Sequence, residues 1–294
     1  MNNFDLTDQQ IAAFRTDGFI AVAQIISPEE VALVRERYEE LFQGRWETGL
    51  MPDEVNWREG RDPPDHTRQI CNGWKADRYL ASVLLQPAIG RACARLGGWP
   101  GARLRQDNVL WKPPGGKPLG FHQDAAYEQW TTIPDGVSCW IALDDTTAAG
   151  GTVEYVRGSH RWGQAGMIEQ FHAPENPTTD LLKAAARAGA EVVERVPIVV
   201  KAGGGAFHSG WIWHGSDVNR RAVPRRALVA HCMSSATQFD PHHVGAIYSR
   251  YKRFGDNQMD ESYFPTLWRE DGYRTPFIEP YTRRLINWGA AVPP

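Results

Sequence analysis

His122 and Asp124, two residues apart, are the pair in this chain whose types could do metal chemistry. Side chains on a β-strand alternate faces, so a strand running from Gly120 to Ala125 would point both the same way and Gln123 the other. An imidazole and a carboxylate converging from one strand supply two ligands. His214 would complete the two-histidine, one-carboxylate facial set that suits non-heme Fe(II) and leaves coordination positions open. A lone His-x-Asp is a weak signal, because such pairs also sit in turns and on surfaces. The text downstream strengthens it. His214 ends the run Gly210-Trp211-Ile212-Trp213, read as the close of a strand, and Arg225 opens the next. There Arg225 shares a face with Ala227, Val229 and His231, while Arg226 points away. A buried arginine needs an anion, and its planar fork suits a carboxylate. Ser216, two residues after His214, can add a hydroxyl. Arg226 is the rival should the register shift by one.

The composition bounds what surrounds these residues. The chain has 294 residues and a formal net charge of -3, with both signs well mixed, so no basic footprint points to nucleic acid or an anionic membrane. Cys71, Cys93, Cys139 and Cys232 show no paired spacing and read as reduced, buried thiols. The N-terminus lacks the basic and apolar regions of a secretory signal, and no apolar stretch is long enough to span a bilayer. A cytoplasmic protein without a membrane partner is expected. The 12 tryptophans suit core packing and also concave small-molecule pockets.

In chain order, Thr7 and Gln10 form a capping box for a first helix that Gly18 ends, and Phe19 to Val22 reads as a strand. Ser27, Pro28 and Glu30 start a second helix with Val31, Val34, Tyr38 and Leu41 on one face. Gly49 to Asp65 reads as a long loop, and about 81–96 as a third helix. After Gly101 short alternating segments between Gly/Pro turns take over, the pattern of a β-sandwich or barrel. Strands are expected at Arg103 to Lys112, Gly120 to Ala125, Val137 to Leu143, Thr152 to Val156, Pro197 to Val200, Gly205 to Ser209, Trp211 to His214 and Arg225 to Met233. Asp180 to Glu194 reads as an inserted amphipathic helix. The tail from Asp240, rich in aromatic and charged residues, could fold over an open end of the sheet.

His122-x-Asp124, His214-Gly215-Ser216 and Arg225 together resemble the phytanoyl-CoA dioxygenase family of Fe(II)/2-oxoglutarate oxygenases. The likeness extends over about residues 4–235. It takes in Leu6-Thr7-Asp8-Gln9-Gln10, Asp17-Gly18-Phe19, Lys112-Pro113-Pro114-Gly115-Gly116, Trp140 to Asp145, Gly150-Gly151 and Gly158-Ser159-His160. The resemblance implies a mainly β fold with flanking helices: a double-stranded β-helix (jelly-roll, cupin-like) core, about 101–235, behind a helical N-terminal cap of about 1–100. A C-terminal lid or interface segment, about 236–294, would complete a single domain over 1–294. It implies His122, Asp124 and His214 as iron ligands, and Arg225 with Ser216 on the distal carboxylate of 2-oxoglutarate. Gln106 and Trp140 match co-substrate contacts of some members, with Asn108 a further candidate on the first strand. Fe(II), with 2-oxoglutarate and O2 as co-substrates, would then hydroxylate an unactivated C–H bond of a small molecule, in secondary or specialised metabolism, releasing succinate and CO2. Asp124 is a carboxylate, so no position is vacated for halide and hydroxylation is favoured over halogenation, with desaturation, epimerisation and ring chemistry left open.

Where the family has Pro-Gly-Ser-His, this chain has Arg157-Gly158-Ser159-His160. Arg157 is a candidate substrate contact or a solvated loop residue, and Tyr127 and Trp130 are further candidates. His208 reads as a core histidine and His242-His243 as a surface turn. Two other functions compete: a cupin-type metalloenzyme needing no co-substrate, and a non-catalytic ligand-binding module. Arg225 and Ser216 argue against the first, and the intact ligand trio against the second. Substrate identity is not legible, and a homo-oligomer stays open.

Overall fold

The computed structural model describes residues 4–283. Helix α1 (Asp8–Asp17) is closed at both ends by local chemistry. Thr7 and Gln10 form the expected capping box, and Gly18 takes a left-handed φ of 86° at the C-cap. Strand β1 (Phe19–Val22) follows. Helix α2 (Pro28–Phe42) starts on the Ser27/Glu30 box and buries Val31, Val34, Tyr38 and Leu41 along one face.

The expected third helix is two. Helix α3 (Arg78–Leu84) is capped by Asp77, and α4 (Pro87–Gly97) starts afresh with Pro87 in its first turn. Proline has no N–H for the preceding turn and pushes Gln86 into extended backbone, which breaks the helix there. The long loop also holds β2 (Glu54–Val55), which pairs with an unexpected strand β3 (Arg68–Cys71). Residues up to 100 thus form more than a helical cap, because β1, β2 and β3 all join the large sheet.

The remaining strands are β4 (Gly101–Lys112), β5 (Leu119–His122), β6 (Val137–Ala142), β7 (Val153–Val156), β8 (Arg195–Pro197), β9 (Gly205–Ser209), β10 (His214–Ser216), β11 (Arg225–Ser234) and β12 (Thr266–Arg269). Helix α5 (Thr179–Arg187) is shorter than the expected insert, and α6 (Ile278–Arg283) lies near the C-terminus. Eight strands form one sheet in the order β1-β9-β6-β11-β4-β3-β2, with β12 also on β4. Four form the other, in the order β5-β10-β7-β8. The pairings are antiparallel.

The alternation read from Val137 to Leu143 has a double meaning. Val137, Cys139 and Ile141 pack with the helices, in a core that includes Val34, Tyr38 and Ile89. Trp140 and Ala142 face the other way, with Leu110, Ala227 and Val229, onto Val153 and Tyr155 of the small sheet. The two sheets therefore close on each other through that second layer. A separate aromatic cluster, Trp130, Phe239, Tyr248 and Phe264, fixes the C-terminal segment against β11 at Met233. The four cysteines are free and buried, as expected.

Candidate metal centre and anion clamp

His122 is the last residue of β5, and His214 the first of β10. The two are direct partners across the small sheet. This differs from the sequence expectation twice. Trp211 to Trp213 form a turn before the strand, so His214 begins β10 instead of ending a strand. Asp124 has left β5 and opens a 3-10 turn, Asp124–Tyr127. The carboxylate reaches the histidines through this turn and not through strand alternation. Ligand atoms of His122, Asp124 and His214 all lie within 4.8 Å of one another.

Backbone carbonyls set the histidine tautomers. His122 donates from Nδ1 to Gly120 O at 2.9 Å, and His214 from Nδ1 to Ile212 O at 3.1 Å. Each imidazole is left with its Nε2 lone pair aimed at Asp124 Oδ1, 3.5 and 3.6 Å away. That is the protonation a metal ligand needs. Burial, reinforced by neighbouring His122, pushes His214 well below its usual pKa, so it is neutral at physiological pH. Three buried groups hold the other carboxylate oxygen. Ser138 Oγ donates to Asp124 Oδ2 at 3.0 Å, His208 Nε2 lies at 3.2 Å and His231 Nδ1 at 3.3 Å. Burial alone would raise the Asp124 carboxyl, but His214, His231 and the other contacts outweigh it and hold the group well below the usual range. His208, expected as a core histidine, is buried and also orients this carboxylate, while its Nδ1 meets Tyr155 OH at 2.8 Å.

Arg225 lies where its strand face predicts. It is buried beneath the same inter-sheet space as Ala227, Val229 and His231, whereas Arg226 points outward to Asp144. Its Nε and Nη2 donate to Gly151 O, and its buried Nη1 has no hydrogen-bond partner. Lys112, directly across from it on β4, is fully buried. The Lys112 ammonium donates to Ser216 Oγ at 2.7 Å and to Asp217 O. Because Ser216 Oγ accepts from the lysine, its own O–H is free to donate to an anion. Burial pushes Arg225 down to about 10 and, helped by Arg225, pushes Lys112 well below its usual value. Two cations and a hydroxyl around an orphaned N–H are a fit for a carboxylate. The sequence named Lys112 only as part of a motif. A lysine beside a Pro-Gly turn reads as solvated, and no spacing rule marks it as buried.

The other candidates separate. Trp140 and Asn108 line the chamber with Arg225, Ser216 and the metal-ligating groups. Gln106 does not; it lines an adjoining outer cavity, where its Oε1 accepts from Tyr248 OH and its Nε2 donates to Asn108 Oδ1 at 2.7 Å. Gln69, on the unread β3, lines both spaces. Tyr127 and Trp130 line the outer cavity. Arg157 does not face the site: it is exposed and ion-paired with Asp17 and Glu194. Of the two readings offered by the sequence, substrate contact or solvated loop residue, these surface ion pairs agree with the second.

Comparison with known proteins follows this geometry. The family model described as phytanoyl-CoA dioxygenase (PhyH) matches residues 14–227. The multifunctional dioxygenase prhA of Penicillium brasilianum is 24% identical over 234 residues, covering 76% of this chain and 70% of that protein. Phytanoyl-CoA dioxygenase domain-containing protein 1 of Danio rerio is 22% identical, with 78% and 91% covered. Among solved structures, the non-heme alpha-ketoglutarate-dependent carbocyclase SnoK from nogalamycin biosynthesis is similar with a TM-score of 0.70 at 24% identity, over 89% of this chain and 96% of that one. Likeness at this identity speaks for the fold. Among the described residues no helix is long and apolar enough to cross a membrane.

Proposed function

Because the chain belongs to the phytanoyl-CoA dioxygenase family, we propose that it is an Fe(II)/2-oxoglutarate-dependent oxygenase. It hydroxylates an unactivated C–H bond of a small molecule in specialised metabolism and releases succinate and CO2. The two facing sheets are read as a double-stranded β-helix core within a single domain. The observation that carries the function is a juxtaposition. A compact His122, Asp124, His214 ligand set shares one chamber with a buried arginine whose Nη1 is unpartnered. A cupin-type enzyme without co-substrate has no use for that arginine.

His122 and His214 would hold the iron through Nε2, with Asp124 Oδ1, while Arg225 Nη1 and the Ser216 hydroxyl would hold the distal carboxylate of 2-oxoglutarate. Bound iron with 2-oxoglutarate and O2 supplies the oxidant that removes hydrogen from carbon. The chain's own part is positioning. Ser138, His208 and His231 keep Asp124 ionised and fixed on one oxygen, so the other stays available. Phe171 packs edge-on against His122, ring centroids 4.7 Å apart, and helps to fix that imidazole. Relatives named carbocyclase and multifunctional dioxygenase show that this framework hosts more than one outcome.

An anaerobic titration with Fe(II) and then 2-oxoglutarate tests this reading. A visible metal-to-ligand charge-transfer band that disappears in His214→Ala is expected. Iron binding without a band would leave the co-substrate-free reading standing.

A further inference from the structure

Beyond the ligand set the site opens into a cavity of about 550 Å³, which His122 and Asp124 also line. Its apolar lining includes Tyr127, Trp130, Phe171 and Ile247. The charges among its lining residues are one-sided. Glu54 and Glu128 both line it, and Arg105 is the one arginine or lysine among the described lining residues. Arg105 is committed: it is 3% exposed, with Nε 3.1 Å from Glu128 Oε1. Within this ion pair Glu128 Oε2 and Arg105 Nε are both buried without a hydrogen-bond partner, one acceptor and one donor. Two of the lining amides, Gln106 and Asn108, are locked to each other. Gln106 accepts from Tyr248 OH and donates to Asn108, and Asn108 in turn meets His231 Nε2 at 3.0 Å. Burial pushes His172 below its usual pKa, so it adds no positive charge.

Resting on the reading above, we propose that the substrate is an uncharged, hydroxyl-rich ring compound. A ring face fits the aromatic lining. Hydroxyl donors suit Glu128 Oε2, unpartnered among the described residues, and Glu54, whose Oε2 meets Cys71 Sγ at 3.5 Å. A carboxylate or phosphate entering this cavity would lose its water, find Arg105 already paired with Glu128 and stand beside Glu54. The pocket therefore rejects anionic substrates, thioesters of phosphate-bearing carriers included, if they must place their charge inside it.

Three matched probes test this by ligand-observed NMR on the full chain at pH 8, above the value of about 7 to which burial pushes Glu128. They are p-nitrophenyl β-glucoside, p-nitrophenyl β-glucuronide and p-nitroanisole. The glucoside is expected to bind at least about tenfold more tightly than the glucuronide, the scale of a like-charge penalty, and more tightly than p-nitroanisole. Glu54→Gln/Glu128→Gln should narrow the glucoside-to-glucuronide ratio. Should the double variant not fold, the wild-type ratio alone decides. Glucuronide binding equal to or tighter than glucoside, p-nitroanisole binding as well as glucoside, or no binding of glucoside overturns the proposal. The iron and 2-oxoglutarate band is recorded without probes, so loss of that band refutes the oxygenase reading separately.

Discussion

Lys112 and Arg225 stand directly opposite each other on β4 and β11, both buried, and among the described residues neither forms an ion pair. Two like charges in a dry interior repel and lose hydration. The arrangement makes sense as one half of a site whose other half is an anion. Arg225→Met should therefore weaken 2-oxoglutarate binding by about 10²–10³-fold, the range for removing one partner of a buried charge pair. Titration of the charge-transfer band reads this.

Lys112→Met separates binding from stability. Without 2-oxoglutarate the variant should melt at or above the wild-type temperature, because the remaining arginine loses its like-charged neighbour. With 2-oxoglutarate the stabilisation by ligand should shrink, since that gain follows occupancy. Thermal melts with and without co-substrate check both signs. A lower melting temperature in the free protein would mean that the lysine's bonds to Ser216 and Asp217 outweigh the repulsion.

Arg226→Met should leave 2-oxoglutarate affinity unchanged. Arg226 donates to both oxygens of Asp144, which also meets Arg35 on α2. Its loss should cost about 1 kcal/mol of stability, the upper end for a surface pair, because both side chains are largely covered. Chemical denaturation beside a co-substrate titration distinguishes the two arginines.

Ser138→Ala removes a donor to Asp124 Oδ2 and leaves the ligand trio intact. Metal affinity should fall by about 10–100-fold, the usual effect of losing an outer hydrogen bond to a ligand. The affinity of the iron-saturated protein for 2-oxoglutarate should barely change. Competition with a metal chelator measures the first quantity.

Glu128 gives the stability curve a slope. Burial raises its folded-state pKa to about 7, against an ordinary value of 4.5. Between these values the unfolded chain releases a proton that the folded chain keeps, so the unfolded state binds fewer protons and stability falls as pH rises. Glu128→Gln should flatten the curve between about pH 4.5 and 7 relative to wild type, measured by denaturant midpoints across that window.

How much of this was legible depends on whether the signal was local. The capping boxes at Thr7 and Ser27 are local, and both formed as read. So is the alternation that put Arg225 inward and Arg226 outward. Asp124 was found as a partner of His122 for the wrong reason, because the 3-10 turn that carries it has no strong signature within Asp-Ala-Ala-Tyr. Pro87 was a visible breaker inside an otherwise convincing apolar periodicity, and the periodicity won wrongly. The burial of Lys112 and the commitment of Arg157 to Asp17 and Glu194 are set by strands and helices distant in the chain. Only the tertiary structure brings such partners together.

The centre's connectivity also dictates when it can exist. His208 is 84 residues from the Asp124 it orients, and His231 is 93 from Ser138. Loops of that length must close before any of these contacts forms, and contacts of high sequence separation form slowly. A nascent chain that has emerged only as far as β9 has His122 and Asp124 but lacks His214 and Arg225. It can neither hold iron in the proposed set nor clamp a co-substrate. Capture of iron by the proposed three-ligand set therefore has to wait until β10 has been made.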